Sequence, residues 1–169
     1  FNLASSLEQT GDLRGSLAEW LRIHALAPAR ADVVDHAERV ARQAGDSPAV
    51  ARLLEWRVAN QPAQAGVVRQ AVAALLALSD QERPDRLSVA ETLVLGAQAR
   101  SCLPPWETWL LLARVRAARG DARGVRAALE LARAALPEDQ AQRAAAEAGV
   151  AELAAAWPAG SADSRPMSR

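Results

Sequence analysis

The apolar residues of this chain recur at the three- and four-residue spacing of an amphipathic helix. The spacing is clearest in two runs, Leu13, Leu17, Trp20 and Leu21, and later Val125, Leu129 and Ala132. Such spacing places apolar side chains on one face of a helix. Tyr is absent and Phe occurs once, whereas alanine, leucine, arginine and glutamate are abundant, so helix formers outnumber strand formers. The pattern predicts an all-α protein.

Glycines and prolines divide the helical pattern at a recurring interval. The pair Gly-Asp occurs at Gly11, Gly45 and Gly120, and a proline follows each glycine after 17 residues. Glycine readily adopts the left-handed conformation that ends a helix, the aspartate can cap the next helix, and proline stops it. The first two glycines are 34 residues apart, and the longer interval to the third contains a polar insertion between Leu78 and Leu87. Each unit is therefore predicted to be a helical hairpin.

These positions resemble the tetratricopeptide repeat, a helical hairpin of 34 residues, in a degenerate form. The clearest copy runs from Trp106 to Asp139 and retains the motif at Trp109, Leu112, Ala113, Leu129, Ala132 and Pro137. A weaker copy begins at Ala31 and has Glu38 where the family has a small residue, so we expect looser packing there. The resemblance implies a right-handed superhelix, or α-solenoid, of stacked antiparallel helical hairpins.

The resemblance also predicts the domain organisation. We expect one repeat domain over residues 1–157 and a disordered tail over residues 158–169, which is rich in Ser and Pro. The repeat domain is predicted to contain a partial repeat, three further repeats and a terminal helix that covers the last hairpin: 1–28, 29–62, 63–105, 106–139 and 140–157. Because Phe1 falls at position 5 of its repeat, more repeats or another domain are expected to precede it.

In tetratricopeptide proteins the first helix of each hairpin lines a concave groove that holds a partner protein. Carried onto this chain, the resemblance assigns groove contacts to Asn2, Ser5, Asp32, Asp35, His36, Arg39, Arg42, Glu107, Leu110, Leu111 and Arg114. Such a groove would suit a helix or an extended peptide. Two alternatives remain open: Leu110 and Leu111 are equally explained by repeat stacking, and the charged residues by a solvated face.

Charge and reactive residues argue against several other functions. Twenty acidic residues balance twenty basic ones, all arginine, so no overall cationic field attracts nucleic acid. No apolar run reaches the roughly 18 residues that indicate a transmembrane helix. His24, His36 and the single cysteine, Cys102, lack the spacing of a metal site or an activated nucleophile. We predict no catalytic residue, metal or cofactor, and the sequence leaves the compartment undetermined.

The sequence therefore favours a non-catalytic scaffold or assembly factor that binds another protein, within a larger bacterial complex. One alternative is the regulatory or substrate-recruiting arm of an enzyme whose catalytic domain lies upstream. A second is a structural subunit that forms homo-oligomers through its open N-terminal hairpin. The partner and the pathway are not predicted.

Overall fold

The structure, a computed structural model, describes residues 2–61 and 64–157, and within these ranges it contains nine α-helices and no strand. The all-α prediction is confirmed. The expectations for Phe1, for Pro62 as a repeat terminator and for the tail at 158–169 lie outside the described residues. The helices are α1 (Asn2–Gln9), α2 (Leu13–Leu26), α3 (Ala31–Ala44), α4 (Ser47–Asn60), α5 (Ala65–Ala77), α6 (Arg86–Ala99), α7 (Pro105–Arg119), α8 (Ala122–Ala134) and α9 (Gln140–Ala156).

The recurring Gly-Asp pairs form the tight turns between helices. Gly45 has a φ of 70° and ends α3 in the left-handed conformation. The side chain of Asp46 accepts a hydrogen bond from the backbone N–H of Ala49 at 2.9 Å and so caps α4. The pairs Gly11-Asp12 and Gly120-Asp121 repeat this arrangement before α2 and α8. One local signal thus produces three similar turns.

The chain divides into two compact units between Arg86 and Leu87. The sequence predicted one domain over 1–157, whereas this division falls inside the predicted repeat 63–105, between α5 and the body of α6. In unit 1, consecutive helices pack on one another from α1 to α5. In unit 2, α7 packs on α8, and α9 packs on both. None of the helices in the described residues is long and apolar enough to cross a bilayer.

A buried hydrogen bond in the core of unit 1 fixes the position of α1 on α2. Trp20 and Leu54 are fully buried. Ser16 is also fully buried, and its hydroxyl donates a hydrogen bond to the carbonyl oxygen of Ala4 at 2.8 Å. A buried hydroxyl without a partner would be costly, so this bond favours a single alignment of the two helices.

The predicted insertion is an ordered turn. The backbone N–H of Ser79 donates to Glu82 Oε2 at 2.8 Å, and the N–H of Glu82 donates to Ser79 Oγ at 3.2 Å, which is the reciprocal pattern of a capping box. The Ser79 hydroxyl also donates to Glu82 Oε2 at 2.8 Å, and the two bonds that this carboxylate accepts from the N–H and hydroxyl of Ser79 hold the pKa of Glu82 below its ordinary value. Arg83 then pairs with Glu55 of α4 through Nη2 and Oε2 at 3.0 Å. The turn is therefore tied to the body of unit 1.

In unit 2 the terminal helix lies directly on α7. Ala146 and Val150 are the buried residues of α9. A Cβ placed on Gly149 would lie only 2.7 Å from Cδ2 of Leu110. The missing side chain at Gly149 therefore makes room for Leu110 and allows the close approach of α9 to α7.

Candidate functional site

Most of the predicted groove residues of unit 1 lie at the surface of α1 and α3. We call this set the α1–α3 face. The α1–α3 face consists of Asn2, Ser5, Asp32, Asp35, His36, Arg39 and Arg42. All of these residues are exposed except His36, which is partly buried.

An ion pair joins the two helices of this face. Nη2 of Arg39, on α3, donates to Oε2 of Glu8, on α1, at 3.0 Å, and a second hydrogen bond joins Nη1 to Oε1. Hydrogen bonding to Arg39 lowers the pKa of Glu8. A bidentate pair fixes both separation and orientation, so it holds α1 against α3.

His36 is placed by an aromatic stack. Its ring lies parallel to the ring of Trp20, with centroids 4.6 Å apart and an interplanar angle of 11°. Trp20 is only 1% exposed, so His36 rests on the core of unit 1. Nδ1 of His36 lies 3.3 Å from Nη2 of Arg39. The histidine therefore links the core to the charged surface of α3.

The buried carboxylate of Glu38, which stands where the repeat motif has a small residue, connects this face to α4. Glu38 is 7% exposed. Its Oε1 accepts from Nη2 of Arg42 at 2.7 Å, and its Oε2 accepts from Nη1 of Arg57 at 2.8 Å. The four-residue spacing of Glu38 and Arg42 is visible in the sequence, but the contact with Arg57 depends on the packing of α3 on α4. At the position where looser packing was expected, the structure thus has a buried carboxylate paired with two partly exposed arginines.

These pairs define what the α1–α3 face offers to another molecule. Both of its arginines already have internal carboxylate partners. Asp32 pairs with Arg30, whose hydrogen bonds lower the pKa of Asp32. The side chain of Asp35 is 58% exposed and lies 3.7 Å from a nitrogen of Arg57. The face therefore offers neutral hydrogen-bonding groups and exposed carboxylate oxygens rather than unpaired cations.

The predicted groove residues of unit 2 are mostly buried. Glu107, Leu110 and Leu111 are 8%, 7% and 7% exposed, and the contact with Gly149 shows that α9 covers Leu110. Arg114 remains at the surface, with Nη2 3.8 Å from Oε2 of Glu152. Leu110 and Leu111, which the resemblance assigned to groove contacts, are thus buried, and α9 covers Leu110.

The described residues also fix the surroundings of the reactive side chains. Within 2–61 and 64–157, no group of three or more His, Cys, Asp or Glu residues could hold a metal ion. Cys102 is partly buried, and its thiol donates to the carbonyl oxygen of Ala97 at 3.2 Å. The ring of His24 packs edge-on against Trp56, with centroids 5.2 Å apart.

The sequence analysis did not single out the arginines of α8. Arg126 and Arg133 line clefts between α8 and α9. Their spacing of seven residues places them on the same side of a helix, and this spacing is visible in the sequence. The existence of the clefts depends on how α9 packs.

Comparisons with known proteins do not extend this description. No family model matches the chain, and searches of curated proteins and of solved structures found no match. The likeness to tetratricopeptide repeats therefore rests on the motif positions in the sequence.

Proposed function

We propose that this chain is a protein–protein interaction scaffold, without catalytic activity, that binds a helix or an extended peptide of a partner on the α1–α3 face. In this proposal the hairpins stack as a superhelix of the tetratricopeptide kind, and the first helix of each hairpin faces the partner.

The main support is the fixed geometry of a face that remains exposed. The Glu8–Arg39 pair joins α1 to α3, and the Ser16–Ala4 hydrogen bond joins α1 to α2. A surface that is already ordered loses little conformational freedom when a partner binds, which favours affinity.

The chemistry of the face suits a peptide backbone. The side-chain amide of Asn2 can both donate and accept hydrogen bonds, and so can the hydroxyl of Ser5. Both residues are exposed. The exposed carboxylate of Asp35 can accept a hydrogen bond or pair with a cation of the partner. This combination recognises a polar or mildly basic segment.

The test is affinity purification from the source cells with three tagged baits, followed by mass spectrometry. The first bait is the unchanged chain. The second carries Asn2→Arg and Ser5→Arg, which add bulk and charge to two exposed positions of the α1–α3 face. The control carries Ala25→Arg and Ala59→Arg, which add the same charge to exposed positions of α2 and α4.

We expect a stoichiometric partner with the unchanged and control baits and its loss from the second bait, with equal helical circular dichroism for all three. Retention of the partner by the second bait would exclude the α1–α3 face. Recovery of the chain alone, with light scattering showing a dimer or larger species, would favour the homo-oligomeric alternative.

A further inference from the structure

The outer side of α8 carries a basic stripe. Arg123, Arg126, Glu130 and Arg133 recur at intervals of three and four residues, which places all four on one side of the helix. The opposite side of α8 is buried through Val125, Ala128, Leu129 and Ala132. The stripe thus faces away from the core of unit 2, with three cations and one anion.

Two clefts lie beside this stripe, where α9 packs on α8. The first has a volume of about 170 Å³ and is lined by Arg126, Leu129, Glu130, Arg133, Ala154 and Trp157. The second has a volume of about 270 Å³ and is lined by Arg133, Leu136, Glu147, Val150 and Ala151. Because Arg133 lines both, the clefts are adjacent. We call them together the α8–α9 seam.

The arginines of the seam differ from most other arginines of unit 2. Arg119 pairs with Glu91 at 2.8 Å, and Arg143 pairs with Glu147 at 2.9 Å. By contrast, the side chains of Arg126 and Arg133 form no ion pair or hydrogen bond with any residue in the described part of the chain. The seam therefore combines two guanidinium side chains without carboxylate partners, apolar residues of both helices and two carboxylates, Glu130 and Glu147, of which Glu147 is paired with Arg143.

This combination selects a class of ligand. Drug-sized molecules occupy pockets of about 300–1,000 Å³, and each cleft is smaller than that, so the clefts suit single side chains of a larger partner. Guanidinium groups bind carboxylates through paired hydrogen bonds. A nucleic acid backbone would leave the apolar residues of the clefts uncovered, so a protein segment fits better.

The spacing of the arginines indicates the form of that segment. Seven residues of α-helix rise about 10 Å, so the positions of Arg126 and Arg133 are about that far apart along α8. In a partner helix, two acidic residues seven positions apart also lie on one face and about 10 Å apart. Apolar residues placed three or four positions after the first acidic residue lie on that same face.

We propose that the α8–α9 seam binds an acidic amphipathic helix of a partner protein. Its carboxylates pair with Arg126 and Arg133, and its apolar side chains enter the two clefts. The seam and the α1–α3 face consist of different residues, so either assignment can fail without the other.

The probe is a displayed library of random peptides, each roughly 15 residues or four helical turns long, selected on the full chain. Individual selected peptides are then labelled, and their affinities are measured by fluorescence anisotropy. The test variant is Arg126→Glu/Arg133→Glu. The matched control is Arg14→Glu/Arg52→Glu, which makes the same charge change at exposed positions of unit 1.

We expect selected peptides with two acidic residues seven positions apart and apolar residues between them. Affinity should fall at least about tenfold in the test variant and stay within about twofold in the control, a contrast typical of central against peripheral contacts. Both variants should keep the helical circular dichroism of the unchanged chain.

Three results would overturn the proposal. The first is enrichment of peptides without acidic residues or of no common class. The second is equal binding to the test variant. The third is that the chain binds no peptide and instead binds a single-stranded oligonucleotide tightly, or forms a dimer that is lost in the test variant.

Discussion

Glu38 gives the sharpest test of how unit 1 is held together. The substitution Glu38→Gln keeps the shape of the side chain and removes its charge. In the native structure the side chain is buried, one oxygen accepts from Arg42, and the other accepts from Arg57. A glutamine has one oxygen and one NH₂ group, and the NH₂ group cannot accept from a guanidinium. One of the two contacts must therefore be lost.

The size of the effect follows from burial. A hydrogen bond that involves a charged group contributes about 1.5–3 kcal/mol, and the remaining bond is weakened when its acceptor becomes neutral. Arg42 and Arg57 are 49% and 24% exposed, so each retains some access to water. We therefore expect Glu38→Gln to lower the free energy of unfolding by about 2 kcal/mol, less than the 3–5 kcal/mol of a fully buried pair.

The two arginines should differ in a defined order. Arg42→Gln is expected to cost less than about 1 kcal/mol, because Arg42 is half exposed and Glu38 keeps Arg57. Arg57→Gln should cost more than Arg42→Gln, because Arg57 joins α4 to α3 and also donates to Oε1 of Gln61 at 3.1 Å.

The assay is urea unfolding followed by circular dichroism at neutral pH. Glu147→Gln is the control, since it makes the same chemical change in an ion pair whose side chains are both 54% exposed, and it should cost less than about 0.5 kcal/mol. The reasoning is refuted if Glu38→Gln costs no more than Glu147→Gln, or if Arg42→Gln is the most damaging of the three changes in unit 1.

Three further outcomes are expected. Gly45→Ala should lower the free energy of unfolding by about 1 kcal/mol, because Gly45 has a φ of 70° and a Cβ there would meet no atom within 4 Å, so the backbone conformation alone sets the cost. A Cβ on Gly66, which lies in α5, would also meet no atom within 4 Å, so Gly66→Ala should leave the free energy of unfolding unchanged or raise it by a few tenths of a kcal/mol. Urea unfolding in which both variants lose stability, or both gain it, would contradict this explanation. Because Arg39 lowers the pKa of Glu8 from 4.5, the pair stabilises the fold above that pH and ceases to do so as the pH falls through the lowered pKa. Glu8→Gln should therefore be less stable than the unchanged chain at pH 7, by at most about 1 kcal/mol, and this difference in the free energy of unfolding should disappear in acid. If the difference persists in acid, the effect of the substitution comes from packing and not from the ion pair. Leu110→Ala should cost about 2–4 kcal/mol and increase amide hydrogen exchange in α9, whereas a loss below about 1 kcal/mol would show that α9 does not cover Leu110.

The helices were predictable because their signals are local. The Gly45-Asp46 pair ends one helix and caps the next through contacts within five residues. Helical periodicity likewise depends on neighbours along the chain, so the all-α class and the three Gly-Asp turns follow from the sequence. The order inside the insertion was less evident, although Ser79 and Glu82 have the spacing of a capping box.

The candidate sites were only partly predictable. Motif positions placed Asp35 and Arg39 on the exposed surface of α3, where the structure has them. They could not show that Arg39 already has an internal partner in Glu8, 31 residues away. Likewise, the seven-residue spacing of Arg126 and Arg133 is visible in the sequence, whereas the clefts beside them exist only because α9 packs on α8.

The sequence by itself determined the all-α class and the three glycine-aspartate turns between consecutive helices, since backbone conformation and capping depend on adjacent residues. The tertiary structure decided which faces of those helices remain available. Leu110 is covered because Gly149 lets α9 approach α7, and Glu38 is tolerated in a buried position because Arg57 reaches it from α4. Burial and charge pairing depend on residues that are distant in the sequence, and only packing brings these residues together.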